Sequence, residues 1–181
     1  MLDVTAKPAQ LARTLLGMGA ALVLAACATQ AEISSDYDRS ADFAAFHTFT
    51  LNQREHPGIS NPLVAVRVEQ DITAALQRSG YTLAADPASA DFLVDFTIGA
   101  QDRMDVQSYP APLPGGPLWG SNIDVRQYRE GTLTIDIFDQ RTHRPVWHAS
   151  AQKELTRNDL EQPAEPVSEA VSSVLAKFPP A

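Results

Sequence analysis

Apolar side chains fall at every second residue of "ADFLVDFTIG", residues 90–99, where Phe92, Val94, Phe96 and Ile98 point one way and Leu93, Asp95 and Thr97 the other. That alternation predicts a half-buried strand. "YREGTLTIDIFD", residues 128–139, repeats it with Leu133, Ile135 and Ile137. "VWHASAQKEL", residues 146–155, repeats it again with Trp147, Ala149 and Ala151. The turn-forming "DQRTHRP" between the last two predicts an antiparallel hairpin. Upstream, a short strand is expected over Glu32 to Tyr37. "HTFTL" predicts another, with Phe49 and Leu51 on one side.

The period changes to that of a helix after Asn61 and Pro62. Asn caps free backbone amides, and Pro at the first helical position sacrifices no hydrogen bond. Val64, Val68, Ile72, Ala75 and Leu76 form one stripe, and Gly80 supplies the left-handed stop after about Ser79. A second helix is predicted in "PVSEAVSSVLAKFPP", beginning at Pro166, with Val167, Val171, Val174 and Phe178 near one face and Pro179 ending it. In "DRSADFAAF", Ser40 is expected to cap one helical turn that sets Phe43 and Phe46 on a shared face. Two amphipathic helices and several half-buried strands require an α+β fold. It is expected as a two-layer sandwich, a mainly antiparallel sheet with both helices on one face. Each large apolar side chain so buried contributes about 1.5–3 kcal/mol. Strand order does not follow from the pattern.

The start of the chain reads differently. Lys7 and Arg13 precede an apolar run from Leu15 to Ala26, too short for a spanning helix of ~20 residues but right for a signal peptide. Leu24, Ala25, Ala26 and Cys27 match the bacterial lipobox: an aliphatic residue, two small residues, then cysteine. Small side chains let an extended backbone enter a narrow peptidase site, and the thiol supplies a sulfur for a diacylglyceryl group. This resemblance to bacterial lipoproteins implies cleavage before Cys27 and acylation of the new amine, for example by palmitate. Ala28, where some lipoproteins carry Asp, resembles an outer-membrane destination. The expected organisation is a signal peptide over residues 1–26, a lipidated tether over 27–31 and one domain of unknown function over 32–181. It would face the periplasm of a bacterial cell envelope. The other reading of Cys27, a small or reactive thiol in a secretory segment, leaves no anchor.

Charge and composition narrow the function. A net charge of −8 over 181 residues becomes more acidic once Lys7, Arg13 and Asp3 are removed. Such a chain is a poor partner for nucleic acid or anionic head groups, so membrane contact is expected through lipid. With one cysteine, no disulfide closes within the chain.

"DYDRSADFAAFHTFT", "ADFLVDFTI", "YREGTLTIDIFDQRTHRPVWHASA" and "LAKFPP" together resemble the bacterial lipoprotein family of the domain of unknown function 4136. The resemblance covers nearly the whole chain after the leader. It implies fold and location, and carries no catalytic residues with it.

Candidate chemistry is sparse. His47, His56, His143 and His148 form no HxH pair or HExxH helix, so no metal is expected. His143 and His148 flank a tight turn. Asp36, Asp38 and Asp42 suggest a calcium loop, but Ala41 and His47 occupy the places of its Gly and Glu. Asp136 and Asp139 read as solvated carboxylates rather than an acid–base pair. No G-x-S-x-G elbow, GxGxxG or P-loop is present. The expectation is therefore no enzyme, no cofactor and no catalytic residue. One feature invites a partner. "YPAPLPGGPLWGSN" is expected as a connection kept out of the sheet by Pro and Gly, or as an apolar tip in which Tyr109, Leu113, Leu118 and Trp119 dock an envelope protein or membrane. The alternative function is binding of a small apolar or lipid-like ligand between helices and sheet.

Overall fold

The computed structural model describes residues 31–52, 61–112 and 119–180, with side chains over 31–52, 61–110 and 120–180. Cys27, His56, Leu113 and Leu118 lie outside these residues, and of Trp119 only the backbone is described.

Six strands form one sheet: β1 (Glu32–Tyr37), β2 (Thr48–Leu51), β3 (Thr82–Leu83), β4 (Phe92–Pro112), β5 (Trp119–Asp139) and β6 (Arg144–Glu154). The spatial order is β1-β6-β5-β4-β2-β3. Pairing is antiparallel from β1 through β4, and parallel where β2 joins β4 and β3. The helices are α1 (Pro62–Arg78), α2 (Arg157–Glu161) and α3 (Ala164–Leu175). The architecture is the expected α+β one.

The alternating positions decide which sheet face is covered. Phe92, Val94, Phe96, Leu133, Ile135, Ile137, Trp147, Ala149 and Ala151 are all buried, and they join Val68, Ile72 and Leu76 of α1 and Val171 and Val174 of α3 in one core. Asn61 accepts a bond from the Leu63 N–H at 3.1 Å, which starts α1 as its sequence predicts. Gly80, at φ +96, ends it.

Four local expectations are corrected. Ser40 caps no helix: its N–H and hydroxyl donate to Asp38 Oδ1 at 2.8 and 2.6 Å, and the 3-10 turn Phe43–Ala45 begins at Asp42. Phe43 and Phe46 do meet edge to face, their centroids 5.8 Å apart. The last helix starts at Ala164, two residues before Pro166, because proline fits any first-turn position. Phe178 lies past its end and enters the core from the following segment, 5.4 Å from Trp147 and 5.7 Å from Phe92.

The fourth correction is the largest. The Pro/Gly stretch is in large part strand. β4 and β5 pair through every register position from Phe92 opposite Asp139 to Pro112 opposite Trp119, taking in Tyr109, Pro110, Gly120 and Asn122. β6 accompanies β5 only as far as Glu130, and β2 accompanies β4 only at Phe92–Val94. Beyond that, among the described residues, the hairpin is two strands wide, so each strand has an outer edge. Pro110 and Pro112, spaced by two, can both present their missing N–H outward without breaking the ladder.

Candidate functional site

The free part of the hairpin, residues 102–112 and 119–129, is a ribbon of roughly 37 Å at ~3.4 Å per residue. Side-chain alternation continues along it without a bulge. The face that is core at Phe96 and Ile98 becomes, farther out, the face of Met104, Val106, Ile123 and Val125, with Val106 directly opposite Val125. These four are 61, 57, 69 and 51% exposed, because none of the described helices extends over them. The opposite face is polar. There Arg103 pairs with Glu130 at 3.0 Å, Gln107 donates to Asp105 at 3.1 Å, and Arg126 pairs with Glu154 while lying over the Tyr128 ring. Tyr109, the described member of the anticipated docking tip, is half-exposed and stands in the strand on this polar side. One face thus sets an exposed apolar row among Asp102, Ser108, Gln127 and Arg129, while the other is polar and charged.

At the ribbon's root the two layers part and leave a cleft of about 330 Å³. Its floor is the cross-strand pair Ala100 and Gly131, two small residues just beyond the last core layer of Ile98, Leu133 and Ala151. Val167 and Ala170 of α3 form one wall. Leu155 and Leu160, before and on α2, form another. Ala31, the residue before β1, lines it too. The segment bearing Leu155 is held by its own N–H, which donates to the Arg129 carbonyl at 2.8 Å. α2 is fixed by a reciprocal cap: Thr156 Oγ1 accepts the Asp159 N–H, while Asp159 Oδ2 accepts the Thr156 N–H. Burial works to raise the Asp159 pKa, but the Thr156 bonds and Lys153, 3.3 Å away, outweigh it and hold the carboxyl below its usual range. The cleft therefore combines largely apolar walls with the Lys153–Asp159 ion pair and with Asn61, Arg129, Thr132 and Glu169. Its size falls at the lower end of ordinary small-ligand sites.

The other candidates disperse. His148 Nδ1 meets Asp136 Oδ1 at 2.7 Å on the sheet face away from the helices, both groups part-exposed. Asp139 Oδ1 instead accepts the Arg141 and Thr142 N–H groups and closes the turn in which His143 adopts φ 53. Asp38 is taken up by Ser40, whose side-chain and backbone bonds lower its pKa. Among the described residues no group of three or more His, Cys, Asp or Glu side chains is placed to hold a metal ion. No described helix is long and apolar enough to cross a membrane. The sequence points to an apolar site between helices and sheet but to none of its lining residues, and it does not show the ribbon. Their only signals were Gly131 inside a strand and the Thr156-x-x-Asp159 spacing.

A sheet covered on one face by helices, with a projecting hairpin and a cleft at its root, defines a two-layer α+β domain. The chain belongs to the family "Domain of unknown function (DUF4136)", whose model matches residues 33–180. No curated protein matches the sequence. Among solved structures, a DUF4136 family protein from Bacteroides thetaiotaomicron VPI-5482 is similar at 18% identity and TM-score 0.56, over 84% of this chain and 97% of that one. A PDZ domain protein from Parabacteroides distasonis ATCC 8503 is similar at 15% identity and TM-score 0.59, over 84% of this chain. This chain spans 37% of that protein's length. A PelC dodecamer from Paraburkholderia phytofirmans aligns at 11% identity and TM-score 0.50, over 81% and 95% of the two chains. At these identities the likeness is one of fold.

Proposed function

We propose that this protein is a non-catalytic lipoprotein of the bacterial envelope, anchored through Cys27 at the outer membrane and facing the periplasm. Its ribbon docks on an envelope protein, in the first instance another copy of the same chain. The observation that carries the docking is the uncovered row Met104, Val106, Ile123 and Val125 on a two-stranded arm with free edges. Support for self-association comes from a protein of similar fold, PelC, which forms a dodecamer. Support for the anchor is the lipobox ending at Cys27, four residues ahead of the domain's first described residue. More than one acyl chain makes such attachment stable.

The test is the native mass of the full chain extracted in mild detergent, beside Val106→Asp with Ile123→Asp. Both substitutions fall at exposed positions, so the variant should keep the fold. The wild type should run as a discrete oligomer and the double variant as a monomer. A wild type that is monomeric at all concentrations, with no crosslinked partner in cells, overturns the docking. The cleft favours a second reading, capture of an apolar or lipid-like ligand, because its walls are largely apolar.

A further inference from the structure

The cleft opens where the chain enters the domain: Ala31 lines it, and Cys27 stands four positions earlier in the sequence. Four residues span at most about 14 Å, so whatever Cys27 carries is held within that distance of the wall. We infer that the cleft houses an acyl chain, and that this chain is one of those borne by Cys27 itself; the inference rests on the lipid anchoring proposed above.

Three observations point there. The walls are largely of the right chemistry: Val64, Leu155, Leu160, Val167 and Ala170 surround a floor of Ala100 and Gly131, with polar groups such as Arg129 and Glu169 also lining the cleft. The volume is modest: 330 Å³ falls at the lower end of small-ligand sites, a size that suits a single slender apolar group. A lipidated Cys27 would bear three chains, so seating one leaves two for the bilayer, still enough for firm attachment. The tether is short, which gives the attached chain a millimolar effective concentration that a free lipid does not have.

The consequence is orientation. A chain seated at the ribbon's root fixes the domain against the membrane surface, and with it the direction of the ribbon, which a loose tether cannot do.

The experiment feeds cells a palmitate analogue carrying a diazirine, irradiates them, and maps adducts on the purified full chain. The expected product is an intramolecular adduct joining the Cys27 lipid to peptides containing Leu160 or Ala170. Ala170→Trp, which fills the cleft, should lower it at least fivefold without changing the label on Cys27. Leu160→Asp, at a half-exposed position, gives the same test should the larger side chain prevent folding. Label on Cys27 with adducts only to phospholipid overturns this inference and spares the anchor. An unlabelled Cys27 overturns both. In a second arm, the Cys27→Ser chain is offered cis-parinaric acid. Saturable binding that Leu160→Asp weakens about tenfold supports an acyl site.

Discussion

Leu155 lies across Gly131, so that a Cβ built on residue 131 would stand 2.9 Å from Leu155 Cδ2. The contact is what lets the segment after β6 close over the end of the sheet while leaving a cleft beside it. Because the obstructing atom is the far end of a flexible side chain, Gly131→Ala should push Leu155 aside rather than break the sheet. Replacing a strand glycine also regains about 0.5–1 kcal/mol of backbone entropy. The net change in unfolding free energy by urea titration should therefore stay within about 1 kcal/mol. A loss above about 3 kcal/mol would mean that Leu155 has no room to move.

The core has its aromatic centre at Phe178, which touches Phe43, Tyr81, Phe92 and Trp147 at centroid distances of 5.4–5.9 Å. It is 5% exposed. Phe178→Ala should cost about 3–5 kcal/mol in the same titration. A cost near zero would show that the C-terminal segment is not part of the folded core.

Asp91 ties β2 to β4. Its Oδ2 accepts the His47 N–H at 2.9 Å, the Thr48 N–H at 2.8 Å and the Thr48 hydroxyl at 2.9 Å. The His47 backbone bond is the largest influence on its pKa and lowers it; burial opposes, and the Thr48 bonds restore the direction. A carboxyl lowered by folding stabilises the protein above its unfolded pKa of ~3.9 and loses that contribution as pH falls through the folded value. Stability should hold from pH 7 to about 5 and decline below. Asp91→Asn should be less stable at pH 7 and show a shallower acid decline. An identical decline in wild type and variant would remove Asp91 from the account.

Sequence pattern reached what burial dictates. α1 was legible from Asn61 to Gly80 because its cap, stripe and stop all agree. The inner halves of β4, β5 and β6 were legible because Phe96, Ile135 and Ala149 must face a core. Past Ile98 that constraint ends: with neither face covered, Asp102, Arg103, Met104 and Asp105 follow no burial rhythm, so the strand continues by pairing alone. Prolines 110 and 112 reinforced the expectation of a loop. The two-residue β3 and five-residue α2 are too short to show a period. Sheet order, and the parallel seating of β2 beside β4, depend on contacts between distant residues such as Thr48 and Asp91.

If the ribbon carries partner contact and not stability, it is dispensable to the fold. Joining Asp102 to Arg129 through an Asn-Gly turn, a pair suited to a two-residue hairpin, removes mostly exposed residues. The shortened chain should melt within a few degrees of the full one and lose its self-association. A collapse in thermal stability would assign the ribbon a structural role instead.

Location and orientation both depend on how the chain begins in the cell. Intact mass spectrometry of the protein isolated from its native membrane tests this most directly, with Cys27→Ser alongside. The account predicts a polypeptide starting at Cys27 and heavier by a diacylglyceryl group and one further acyl chain, with no such species from the variant. A native chain starting at Met1 with an unmodified thiol would contradict it.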